Sequence, residues 1–128
     1  MTAGLLLTIL SRLFVTKEER KQSIGIATEF GDEYIRATIA CVISDFPVSN
    51  GDGTFEECLL LCDEDEKNPG FEYYDMDVDS MIKMLWSVNK DTSVVIGLYR
   101  KPGFYIASDI NSIIEVDGKR YLSDFILN

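Results

Sequence analysis

Asp75-Met76-Asp77-Val78-Asp79 sets three carboxylates at alternate positions, the spacing with which an EF-hand calcium loop begins. The rest of such a loop is missing. Its sixth position falls on Ser80, where a glycine makes the turn, and its twelfth on Trp86, where a bidentate glutamate is required. Asp63-Glu64-Asp65 fails in the same way, with Asn68 at the sixth position. The chain contains no histidine, which removes Ser-His-Asp and Cys-His catalysis and any imidazole zinc site. Its three cysteines, Cys41, Cys58 and Cys62, are too few for a four-thiolate zinc site and show no CxxC spacing. There is no GxGxxG or P-loop, and Gly51-Asp52-Gly53 reads as a turn. Neighbouring acids such as Glu56 and Glu57 do not offer the separate environments that acid and base roles need. The expectation is a non-enzymatic protein without metal site or cofactor.

What remains is the placement of the charge. Asp45 to Asp79 holds twelve acids against one base, Lys67, a balance of −11, while residues 1–44 balance at 0 and residues 80–128 at +1, which gives the net −10. Like charges at this density repel one another and weaken the compact state, so a chain that keeps them gains a field able to attract a basic partner. Direct binding to DNA or RNA is disfavoured, because it rests on cations that release counterions, and Lys17-Arg20-Lys21, Arg100-Lys101 and Lys119-Arg120 are small basic spots.

The elements that must carry this segment follow from periodicity and turn chemistry. Leu6, Ile9, Leu10, Leu13 and Phe14 recur at three and four, the stripe of a short helix packing on a core. Thr16 to Gln22 is a charged connector. Ser23 to Phe30 and Glu33 to Phe46 read as strands around a Gly31-Asp32 turn, with Pro47 to Gly53 a loop. Phe55 to Cys62 is a strand with a wet start, Asp63 to Gly70 a charged loop, and Phe71 to Asp75 a short edge strand. Val78 to Lys90 is the clearest helix: Asp77 serves as N-cap, Asp79 meets the positive helix end, and Val78, Met81, Ile82, Leu85, Trp86 and Val88 or Asn89 form its buried side. Ser93 to Tyr99, Phe104 to Ala107, Ile113 to Val116 and Arg120 to Leu122 complete the strands, the last two joined by Asp117-Gly118. Without repeated βαβ alternation, the fold class expected is α+β, a mainly antiparallel sheet of about six or seven strands with an N-terminal helix and one central amphipathic helix.

The length fits one domain, 1–128, able to bury a core without staples, and 46% hydrophobic residues place it with folded chains. An odd number of cysteines in such a chain favours a reducing, cytoplasmic setting. The apolar run at Leu5 to Leu10 lacks the basic start of a signal peptide and is far below the ~18 residues of a membrane span, so no membrane contact is expected.

The acidic segment mixes its charges with Phe55, Phe71, Tyr73 and Tyr74, the rigid aromatics from which interfaces draw energy while complementary charge fixes register. In size, in the −11 segment Asp45 to Asp79, and in the absence of catalytic residues and export signal, the chain resembles the immunity proteins that bacteria co-produce with toxins, nucleases among them. The resemblance is one of general character. It implies a one-to-one inhibitor that covers the basic active site of a cognate toxin. The partner-binding residues expected on this reading are Glu56, Glu57, Asp63, Glu64, Asp65, Glu66, Glu72, Tyr73, Tyr74 and Asp75, with Asp77 and Asp79 left to start the helix. The alternatives are an accessory or regulatory subunit docking through Leu5 to Phe14, and a DNA-mimic inhibitor.

Overall fold

The computed structural model describes residues 1–63, 76–101 and 104–126. Its elements are α1 (Ala3–Leu13), α2 (Lys17–Arg20), β1 (Ile24–Phe30), β2 (Glu33–Thr38), β3 (Cys41–Ser49), β4 (Phe55–Cys62), α3 (Val78–Ser87), β5 (Val94–Lys101), β6 (Phe104–Asp109), β7 (Ser112–Val116) and β8 (Lys119–Ser123). The protein is α+β, but the eight strands form two four-stranded sheets, ordered β2-β1-β8-β7 and β3-β4-β5-β6.

The single, mainly antiparallel sheet expected from sequence is thereby corrected. Each sheet consists of two antiparallel hairpins joined along a parallel seam, Ile24–Ala27 beside Arg120–Ser123 in one and Leu59–Cys62 beside Val94–Gly97 in the other. The chain order helix, hairpin, hairpin occurs twice, as α1, β1–β2, β3–β4 and as α3, β5–β6, β7–β8. The first half gives its first hairpin to the first sheet and its second hairpin to the second; the other half does the reverse. The central strands of each sheet therefore come one from each half.

Several boundaries move for local reasons. The long strand expected over Glu33 to Phe46 breaks at Ile39-Ala40, both fully buried, where the chain leaves one sheet and enters the other. Pro47 belongs to β3, which tolerates it as an edge strand because an edge residue need not donate to the ladder. The connector at Thr16 contains a short helix held by a capping box: Thr16 accepts from the Glu19 N–H at 3.1 Å, and the Glu19 carboxylate accepts from the Thr16 N–H at 3.1 Å. Helix α3 starts at Asp77 as expected but stops at Ser87, and Lys90 donates from outside to the carbonyls of Leu85, Trp86 and Val88 at 2.8–3.2 Å. Trp86, expected on the buried side, is exposed. The proposed strand Phe71 to Asp75 lies outside the described residues.

One core joins both sheets and both long helices. It takes Leu6, Leu10 and Phe14 from α1, Val78, Met81 and Leu85 from α3, Ile24, Ile26 and Leu122 from the first sheet, and Leu59, Leu61, Val94 and Ile96 from the second. Leu7 replaces Ile9 and Leu13 on the buried stripe of α1, and the N-terminus of the helix is held by two bonds: Ala3 N–H donates to Thr92 O at 2.8 Å and Gly4 N–H to Lys90 O at 3.0 Å. No helix among the described residues is long and apolar enough to cross a membrane.

In β1, Gly25 sits between the inward-facing Ile24 and Ile26 and cannot carry a side chain, since a Cβ there would lie 2.5 Å from the Ala37 carbonyl oxygen. Two substitutions test this packing by urea unfolding. Leu6→Ala, which empties a fully buried position of α1, is expected to cost about 2–5 kcal/mol. Leu5→Ala on the exposed side should stay within about 0.5 kcal/mol, and equal effects would show that α1 is not a core element.

Candidate partner-binding surface

The strand β4 separates the expected site residues. Glu56 and Glu57 are exposed at its start and point to opposite faces; Asp63 follows its end, roughly 20 Å from Glu57 at the rise of a strand. Glu64, Asp65, Glu66, Glu72, Tyr73, Tyr74 and Asp75 lie outside the described residues. Asp77 caps α3 through Ser80 N–H at 2.7 Å, and Asp79 pairs with Lys83 at 2.8 Å, so both serve the helix as expected.

At the start of β4 the structure assembles a surface that the spacing alone does not reveal. Ile43 faces Leu60 and Phe46 faces Cys58, so Ser44 and Asp45 together oppose Leu59: a β-bulge with Asp45 in the left-handed region, φ 55°. Aspartate tolerates that conformation better than most residues, and as the one charged residue of β3 it is the sequence signal for the bulge. The bulge brings Asp45 to a groove of about 300 Å³ that is also lined by Glu57, Val88, Asn89 and Thr92. On the other face of β4, Glu56 accepts from the Ser93 hydroxyl at 2.7 Å.

The β3–β4 loop extends this acidic end and is stitched to itself. Asn50 N–H donates to Thr54 O at 3.0 Å, Asn50 Nδ2 to Thr54 Oγ1 at 2.9 Å, and both the Thr54 N–H and hydroxyl donate to Asp52. The Thr54 bonds hold the Asp52 carboxyl below its usual range. Gly51 and Gly53 supply the positive φ values, 83° and 91°, that the tight loop needs. Phe55 follows at 67% exposure, on the same side of β4 as Glu57. Glu57 and Asp45 thus share a groove, and the Asp52 loop carries the exposed Phe55 at the start of the same strand.

Cys58, which touches the same groove, is a poor nucleophile. Burial pushes its thiol above the ordinary range, and the Glu56 and Asp109 carboxylates push the same way, against a smaller opposing effect of the N-terminal ammonium. Among the described residues no group of three or more His, Cys, Asp or Glu could hold a metal ion. The groove offers carboxylates and amide or hydroxyl groups, a setting that accepts a lysine or arginine side chain. Comparison with protein families, curated proteins and solved structures finds no match to this chain.

The raised thiol fixes the sign of a pH effect. The folded state holds the Cys58 proton more tightly than the unfolded chain, so this contribution to stability is intact below the ordinary cysteine range and declines as pH rises through it. Urea unfolding should show stability falling above about pH 8.5, and the fall should shrink in Cys58→Ala. A decline of the same size in that variant would assign the effect elsewhere.

Proposed function

We propose that this protein is an acidic inhibitor that binds a basic protein, an immunity protein that neutralises a cognate bacterial toxin by covering its cationic active site. The observation that supports the reading is the end of β3–β4, where Asp45 and Glu57 line one groove and the stitched Asp52 loop leads directly into the exposed Phe55. A stitched loop loses little conformational freedom on binding, so more of the contact energy appears as affinity. The carboxylates of this end stand in for substrate phosphates opposite toxin lysines and arginines, and the exposed ring supplies an anchor beside them.

The alternative in which α1 is the docking element has less support, because Ala3, Leu6, Leu7, Leu10 and Phe14 are already committed to the core. The acidic segment itself divides. Its first part, Asp45 to Glu57, forms the end described above; its second, from Asp63 onward, leaves from the far end of β4. Binding by the first part makes the groove and Phe55 the centre of the interface.

The test starts with the protein as bait in extracts of its own cells at low and high salt, followed by titration of the captured partner. The triple variant Asp45→Asn, Glu57→Gln, Phe55→Ala preserves the left-handed position and should remain folded by circular dichroism. Its affinity is expected to fall by about 30-fold or more, the scale of a broken buried charge pair. The wild-type affinity should drop steeply with salt as the charges are screened. A partner that binds the triple variant as tightly, or with no salt dependence, would overturn the proposal. Asp63→Lys in the same titration separates the two parts: a near-normal affinity is expected.

A further inference from the structure

A second site of opposite sign lies on the first sheet. The beginning of β1, the end of β2 and the beginning of β8 enclose a pocket of about 180 Å³ lined by Ser23, Arg36, Thr38, Lys119, Arg120 and Tyr121. Gly25 forms part of its floor, where the absence of a side chain lets β2 and the Tyr121 ring close in. Arg36 pairs with Asp117 at 3.2 Å and lies 5.9 Å from the centre of the Tyr121 ring; Arg120 pairs with Glu115 at 3.8 Å. Lys119 has no ion pair among the described residues, and the hydroxyls of Ser23, Thr38 and Tyr121 make no hydrogen bond to a described residue.

Three cations against two carboxylates leave this pocket at +1, in a chain of net charge −10. The acidic end does not reach it. Ser23 bridges to Asp77 at the start of α3, whereas the acidic groove contains Val88 and Asn89 beyond its end. The ten residues of α3 therefore hold the two sites apart by about 15 Å at the rise of an α-helix. The cations around α2 make a weaker candidate, since Lys21 and Lys83 are paired with Glu18 and Asp79, and Arg20 is tied to Phe14 O at 2.9 Å.

We propose that this pocket binds a small organic phosphate, with Lys119 and Arg36 holding the phosphoryl group and Ser23, Thr38 and Tyr121 donating hydrogen bonds to its oxygens. Donors arriving from three strands suit a tetrahedral group with three terminal oxygens better than a planar carboxylate with two. The volume limits the ligand to little more than a phosphoryl group on a short carbon skeleton. Arg36 uses Nη1 for its bond to Asp117 and has further N–H groups to donate, so binding requires no ion pair to break.

Amide-resolved NMR titration with inorganic phosphate at constant ionic strength tests the site, with acetate as the comparison anion. Saturable shifts are expected at Gly25, Thr38, Lys119 and Tyr121, with acetate at least five-fold weaker. Lys119→Gln, at an exposed position, should weaken phosphate at least five-fold, while Lys83→Gln in the α2 groove should leave it unchanged. Shifts that do not saturate, that spread over Lys17, Arg20 and Lys21, that acetate reproduces at equal concentration, or that survive Lys119→Gln would overturn it.

Discussion

The seam between β1 and β8, with Ile24–Ala27 parallel to Arg120–Ser123, ties the first strand of the chain to the last. Nothing else joins the two hairpins of that sheet edge to edge, and the β4–β5 seam does the same for the other sheet. Parallel neighbours cannot be linked by a tight turn, so each seam depends on chain that crosses elsewhere: α3 and its flanks for β4–β5, nearly the whole molecule for β1–β8. Contacts this distant in sequence are slow to form, since loop closure precedes any gain from pairing. The fold is held by long-range packing rather than by local propensity.

That dependence explains the small devices at the seams. Thr2 bridges Ser93 and Met1 O accepts from Val94 N–H at 2.8 Å, so the start of the chain extends the beginning of β5. Asp124, just past β8, accepts from the Glu29 N–H at 3.0 Å and the Ser108 hydroxyl at 2.8 Å, tying β1 to β6 across the two sheets. Among the described residues, no buried side-chain polar atom lacks a hydrogen-bond partner. Met1, Thr2 and Asp124 are thus tied by bonds to strands distant in sequence.

The arrangement also sorts the charge. A segment that reads as one acidic block is divided by a strand buried along most of its length, with carboxylates at both ends and two more spent on starting α3. The hairpin β7–β8 brings Lys119 and Arg120 beside Arg36, which lies more than eighty residues earlier in the chain. Two surfaces of opposite sign are then held on one core.

Much of this was legible in the sequence wherever the deciding interactions are local. The stripe Leu6, Leu10, Phe14 marked α1, Asp77 marked the start of α3, and Gly31 and Asp117-Gly118 marked two hairpin turns, because caps, turns and amphipathic faces act within a few residues. The same locality hid the rest. Glu33 to Phe46 looks continuous because nothing nearby distinguishes a strand that stays in its sheet from one that changes sheets at Ile39-Ala40. Trp86 looked buried because helical spacing alone does not say how wide the covered face is, and Asp45 looked like one acid among twelve because a bulge is defined only by its partner strand. The sequence by itself determined that the chain folds as α+β and where its charge is concentrated, since burial pattern and composition are properties of the residues. Which carboxylates share a groove, which cations meet across the first sheet, and that there are two sheets at all were decided by tertiary structure, because each depends on pairings between segments dozens of residues apart.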